Sequence, residues 1–256
     1  MSIGLVLSGG GSRGIAHIGV LRALEEYNIK ISHISGTSCG AIVGSLYAAG
    51  HSWEDIFHFF KSVPLFSYKK YAINKPGFID TSKFYKELLP YFSHDNFNAL
   101  QLKLFITATN LVTAKAETFS SGALINTILA SSAVPGIFSP VIIDNNPYTD
   151  GGILNNFPVE PILNSCSKII GVYVNPIEDI DAKQLKHSYQ VLNRAYQIGF
   201  LNQSVSKFDA CDFVIYPKKL NKYGLFNLKN METILKIGYE EAIKIIEENK
   251  STFLAK

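Results

Sequence analysis

The sequence predicts an α/β fold built on a mostly parallel sheet, and three observations carry that expectation. Short runs of apolar, β-forming residues alternate along the chain with stretches that are amphipathic at helical spacing. Two glycine-rich turns, SGGGSRG at 8–14 and GTSCG at 36–40, each follow such a run and precede such a helix pattern. The longest apolar stretches fall far short of a membrane-spanning helix, so a chain of 256 residues can bury a sizeable core of its own.

Taken in order, IGLVL at 3–7 is apolar on both faces, as a strand inside a parallel sheet would be. From Gly14 to about Tyr27, Ile15, Ile18, Leu21, Ala23 and Leu24 recur at helical spacing. ISHIS at 31–35 reads as a second strand and AIVGSLYAAG at 41–50 as a helix of small residues. Trp53, Ile56, Phe57 and Phe60 mark a further helix, and 62–79 reads as irregular. A helix pattern covers roughly 81–92, followed by a strong strand, KLFITATNLV at 103–112, with AETFS at 116–120 as its hairpin partner. ALINTILASSAV at 123–134 is a helix stopped by Pro135 and Gly136. VIID at 141–144 leads through a hairpin-like approach to Asp150. KIIGVYV at 168–174 and FVIYP at 213–217 are strands separated by a long helix from about 182 to 207. A last helix, 230–249, sets Ile234, Ile237, Ala242 and Ile246 against Lys and Glu. The whole reads as one domain, without repeats or low-complexity segments.

Net charge is only +3, with lysines spread along the chain, which suits weak attraction to anionic surfaces and gives no footprint for nucleic acid. Cys39, Cys166 and Cys211 are few, odd in number and widely spaced, fitting neither a disulfide framework nor a zinc site. The N-terminal run lacks a basic flank and is too short for a signal peptide. The chain reads as cytoplasmic, with peripheral contact to a membrane left open.

The two glycine-rich turns belong together. A helix over 14–27 is roughly 21 Å long and a return strand over 30–36 roughly 23 Å, so a right-handed β-α-β unit brings Gly36 back beside Ser8. Both turns then sit at the carboxyl ends of adjacent strands, where open α/β sheets bind ligands. Gly36 and Gly40 flank Ser38 as the glycines of a nucleophile elbow do. Gly10 and Gly11 leave backbone N–H groups free to converge on a developing oxyanion, and helix N-termini add positive potential. Donors for an oxyanion beside a serine imply acyl transfer. The rival is a dinucleotide site, since Gly9, Gly11 and Gly14 also spell GxGxxG. That reading needs an acid at the end of the second strand, where Ser35-Gly36-Thr37-Ser38 stands instead; Glu25 and Glu26 lie on the helix. Ile15 occupies the position where a P-loop requires Lys.

An ordinary serine hydrolase needs a histidine base. His17 lies within the first helix, His33 in a strand, His51 and His58 beside the aromatic helix, His94 in a polar turn and His187 on a later helix. None follows an acid at a strand end. Asp150, followed by Gly151 and Gly152 in YTDGGILNNFP, is the best polar candidate, although in isolation it reads as an Asx turn.

Together GGGSRG, GTSCG, SSAVPGIFSPV at 131–141 and DGG at 150–152 resemble the patatin-like phospholipase family, especially its small bacterial members, over about residues 3–175. The resemblance implies a three-layer sandwich, completed by 176–256, and a lipid acyl hydrolase that needs no metal or cofactor. Ser38 would be the nucleophile and Asp150 the base of a two-residue dyad. Gly10 and Gly11 would hold the oxyanion, with Gly9 and Ser12 in support and Arg13 helping through its amide or by pairing with a lipid phosphate. Ser8 stands where the family motif often begins with Asp. The substrate would be a phospholipid or another fatty-acyl ester; transacylation through the same acyl-enzyme and a non-catalytic lipid-binding regulator are the alternatives. The aromatic and lysine-bearing stretch 57–79, with Lys69, Lys70 and Lys75, reads equally as a lid for anionic lipid or as a packed cap with solvated lysines. Cys39 reads as a packing residue. Oligomeric state and headgroup are left open.

Overall fold

The computed structural model describes residues 2–63, 71–72, 76–225 and 228–250. Lys69, Lys70 and Lys75, on which the lid reading turns, lie outside the described residues. The strands are β1 (Ile3–Leu7), β2 (His33–Thr37), β3 (Lys103–Asn110), β4 (Lys115–Phe119), β5 (Val141–Ile143), β6 (Asn146–Asp150), β7 (Lys168–Val172) and β8 (Phe213–Ile215). The helices are α1 (Ile15–Glu26), α2 (Cys39–Ala48), α3 (Trp53–Ser62), α4 (Tyr85–Leu88), α5 (Leu124–Ser131), α6 (Ser188–Ser204) and α7 (Met231–Glu248).

The sheet is mixed and mostly parallel. β3, β2, β1, β7 and β8 lie side by side in that order, all parallel, while β4 and β6 pair antiparallel with β3, and β5 with β6. Successive side chains leave opposite faces of a strand, and here they enter two cores. Leu5 and Leu7 of β1 and Ile170 and Val172 of β7 join the larger one, with Ile18 of α1, Leu46 of α2, Ile128 of α5 and Ile234 of α7. Val6 and Ile169 join the smaller one with Phe157 and Tyr173, against which Leu201 of α6 and Phe208 pack. Helices thus cover both faces, giving three layers.

One feature of the register positions the site. Along β3, β4 pairs with residues 106–110, β2 with 103–107 and β6 with 108–110. A strand has only two edges, and β4 overlaps both of the others. β2 and β6 must therefore share the opposite edge, end to end. Thr37 faces Thr107 and Asp150 faces Ala108, so two chain ends converge on neighbouring positions of one strand.

Several expected elements differ in extent, three of them with a visible cause or consequence. The second strand is displaced to 33–37, paired by Gly36 with Leu7, and so runs to the threshold of Ser38. The helix pattern at 81–92 is one α turn, α4, between 3-10 segments at Thr81–Phe84 and Leu89–Tyr91. Pro90 has no N–H to continue the α-helical ladder, and the chain passes into a 3-10 turn there with Leu89 still in helical backbone. The long helix at 182–207 is reduced to α6, because His187 is extended and Gln190 Oε1 accepts the N–H groups of Lys186 and His187, which starts a helix there.

Candidate active site

Ser38 occupies the single residue between β2 and α2. Its φ of 55° and ψ of −125° put a non-glycine residue in left-handed backbone, at a cost on the order of 1–3 kcal/mol. Its surroundings hold it there. The Ser38 N–H donates to Ser131 Oγ at 2.9 Å, and that hydroxyl donates to the Thr107 carbonyl at 2.7 Å. The Ser38 carbonyl accepts from the N–H groups of Ala41 and Ile42 in the first turn of α2. The turn closes tightly because Gly40 lies against β1: a Cβ there would come within 2.2 Å of the Leu7 carbonyl oxygen. Gly36 backs the same turn against the Gly40 carbonyl, and Gly14 lies against Cys39.

The Ser38 hydroxyl donates to Asp150 Oδ2 at 2.6 Å, and both residues are buried. Asp150 Oδ1 accepts from Gly152 N–H at 2.8 Å, so both carboxylate oxygens are engaged. Its backbone is pinned as well, through its N–H to the Ala133 carbonyl and through its carbonyl to Thr109 Oγ1. Gly151 lies against the Thr107 carbonyl. Burial raises the Asp150 carboxyl to about 6, against the opposing hydrogen bonds from Ser38 and Gly152.

The glycine turn lies directly against this pair, since a Cβ on Gly9 would sit 3.1 Å from Ser38 Cβ. Three of its amides are already used: Gly9 N–H donates to the Asn156 carbonyl, Ser12 N–H to Leu225 and Arg13 N–H to Gly10. The N–H groups of Gly10 and Gly11 take no acceptor among the described residues. The free amides are thus the two central ones, while those of Gly9, Ser12 and Arg13 hold the loop in place. Gly11 has φ +55°, and a Cβ there would meet the Leu225 carbonyl at 2.1 Å. Ser8 Oγ accepts the Val174 N–H at 3.1 Å, a structural task at the place of the family's Asp.

Arg13 is the charged residue of the glycine turn. Its guanidinium is buried, with Nε donating to the Tyr223 carbonyl at 2.6 Å, and burial lowers it to about 10. His17 is fully enclosed, with Nε2 on the Ser8 carbonyl at 2.8 Å, and burial lowers it to about 4. Neither it nor another histidine is among the residues lining the cavities at Ser38. Cys39 is a buried core residue with its thiol pushed up to about 12. Among the described residues no cluster of His, Cys, Asp and Glu could hold a metal ion, and no helix is long and apolar enough to cross a membrane.

Sequence reasoning missed three contributors. Ser131 fixes the Ser38 amide. Asn175 Nδ2 donates to the Gly9 carbonyl at 2.5 Å and steadies the glycine turn. Asn156 wedges between Gly9 and Gly152, with both side-chain polar atoms buried and unpartnered. Ser131 and Asn156 sat inside segments already singled out, SSAVPG and NNFP, but nothing in their spacing announced the contact.

Two cavities meet at Ser38, and Gly11, Val134 and Leu225 line both. One is apolar, walled by Phe59 and Phe60 of α3, Phe84, Leu88, Leu129 and Phe138. The other, of about 860 Å³, contains Asp150, Gly10 and Asn156, with Tyr196 and Phe200 of α6 across from them.

Residues 5–163 match the family model described as patatin-like phospholipase. Lysophospholipase NTE1 of Debaryomyces hansenii is 33% identical over 185 residues, covering 70% of this chain and 12% of its own length. Lysophospholipase NTE1 of Mycosarcoma maydis is 25% identical over 279 residues, covering 96% of this chain and 15% of its own length. The chain spans only that small share of these relatives. Among solved structures, VipD from Legionella pneumophila is similar with a TM-score of 0.58 at 15% identity, over 96% of this chain and 67% of that one, a likeness of fold.

Proposed function

This chain belongs to the patatin-like phospholipase family, and from that premise we propose that it is a serine lipid acyl hydrolase working through a Ser38–Asp150 dyad. The observation that carries the reading is the buried 2.6 Å hydrogen bond from Ser38 to Asp150, beside two amides without acceptors. Asp150 Oδ2 accepts the Ser38 proton as Oγ attacks the ester carbonyl, while Gly152 N–H steadies Oδ1. The oxyanion develops against the N–H groups of Gly10 and Gly11, each worth a few kcal/mol in the transition state. Asp150 then returns the proton to the departing alkoxide, leaving an acyl-enzyme. The apolar cavity suits the acyl chain. The wider cavity, which alone of the two contains Asp150, suits the leaving alcohol and the water that later releases the fatty acid. A carboxylate is a weak base for an alcohol; a carboxyl raised to about 6 by burial is better matched to the task at neutral pH.

The test is intact-mass analysis after exposure to a long-chain alkyl fluorophosphonate. One adduct is expected on the native chain and none on Ser38→Ala. Turnover of a fatty-acyl ester should rise with pH through about 6 and fall at least tenfold in Asp150→Asn. A smaller loss overturns the dyad, and no adduct even with liposomes present favours a non-catalytic lipid binder.

A further inference from the structure

A helix at the surface of a globular fold turns its apolar residues inward and its charges outward, as α7 does: Ile234, Leu235, Ala242 and Ile246 are buried, and seven of its 18 residues are charged. α6 is built the other way round. It carries one charged residue, Arg194, among 17, and its buried side chains, among those described, are Gln197 and Ser204. Val191 is 51% exposed, Leu192 58% and Ile198 44%, and Val205, just past the helix, 48%. With Ala195, also exposed, they recur at helical spacing along one outward stripe. Arg194 is turned away, with Nη2 donating to the Glu178 carbonyl at 2.7 Å. Contiguous apolar surface of this kind marks an interaction site.

Two observations say what covers it. The stripe is continuous with the active site, because Leu192 lines both the cavity that holds Asp150 and, with Ala195, a groove of about 280 Å³ that includes Gly152 and Ile153. Beside the start of α6, Lys183, Lys186 and Lys222 line a hollow whose acids are Glu178 and Asp179. None of these lysines has a carboxylate partner among the described residues. An uncharged apolar face bordered by unpaired cations is the make-up of a helix that lies in the plane of an anionic lipid surface.

We propose that α6 is the surface by which this chain docks on an anionic phospholipid bilayer, with the outward stripe among the headgroups and the lysines against their charge. The lipid occupant rests on the hydrolase reading above, since an ester held in a bilayer then enters the dyad cavity past Leu192 without crossing water.

Flotation of the full Ser38→Ala chain with vesicles of phosphatidylcholine and phosphatidylglycerol reads docking without turnover. Val191→Asp/Ile198→Asp, at positions that line neither cavity at Ser38, should lower partitioning about tenfold or more. Lys183→Glu/Lys186→Glu should lower it about fivefold, and Ile198→Trp should raise it about threefold. No partitioning with the native α6, or equal partitioning in every variant, overturns the proposal. A dimer in solution that the two aspartates dissociate also overturns it, because a second copy would then be the occupant. With Ser38 restored, the aspartates should leave fluorophosphonate labelling and turnover of a water-soluble short-chain ester unchanged, while kcat/KM for vesicle-borne phospholipid falls about tenfold. An equal change on both substrates overturns it. Failure of every ester and of the fluorophosphonate would sink the hydrolase reading, yet flotation would still decide the docking.

Discussion

His17 and Asp150 are both enclosed by the fold, one against the Ser8 carbonyl, the other between Ser38 and the Gly152 amide. Their linkage to stability has opposite sign. His17 is lowered from 6.5 to about 4, so the unfolded chain binds the proton more tightly and stability falls as pH drops through that interval. Asp150 is raised from 3.8 to about 6, so its contribution is complete below 3.8 and is lost as pH rises through 6. Each slope is about 1.4 kcal/mol per pH unit, and between about 4 and 6 the two offset one another. Relative to the native chain, His17→Gln should lose stability as pH rises across this window, and Asp150→Asn should gain it. At pH 8, Asp150→Asn should be more stable by about 1–3 kcal/mol while at least tenfold less active, since a charge is no longer buried. Urea midpoints at several pH values check this; parallel profiles for all three chains would show that neither burial is felt.

At the level of elements, the site depends on how closely α2 can approach β1. Adding one methyl at Gly40 would bring it within 2.2 Å of the Leu7 carbonyl oxygen and 2.7 Å of that of Ser8. Gly40→Ala should therefore push the start of α2 outward and carry Ser38 away from the Gly10 and Gly11 amides. We expect a chain destabilised by about 1–3 kcal/mol, with fluorophosphonate labelling slowed about a hundredfold. Native labelling rates in that variant would mean that the elbow tolerates displacement. The same elements show what a sequence can reveal. Alternating apolar runs and helical stripes announced β1, α1, α2, β3, α5, β7 and α7, whereas the helix pattern read over 81–92 ran through Pro90 unheeded. Ser38 and Asp150 stood out by their glycine neighbours. Their meeting was implied only by the family resemblance, because it depends on β2 and β6 sharing one edge of β3, a register set by pairing between distant segments. The brace from Ser131 and the wedge of Asn156 are packing outcomes of the same kind. The Gly10 and Gly11 amides were expected to stay free; the Asn156 and Leu225 carbonyls that occupy those of Gly9 and Ser12 arrive from far along the chain and could not be named.

For the molecule as a whole, the proposed reaction has the two cavities at Ser38 divide the substrate between them. The apolar one lies among α3, α5 and the 81–88 turn, inside the larger core, so its depth is fixed by core side chains. Leu129→Trp should fill it and shift preference toward short acyl chains, with kcat/KM for long-chain esters falling about tenfold or more while that for acetyl esters changes little. A chain-length profile that does not move would place the acyl group elsewhere. The shared edge of β3 also governs timing. Ser38 and its partner are 112 residues apart in the chain, and contacts of such separation close late in folding. A copy leaving the ribosome carries its serine well before the carboxylate that receives the proton has been made. If the proposed dyad carries the reaction, chemistry begins only when β6 docks, and unfinished copies would be harmless to lipids without any inhibitor to restrain them.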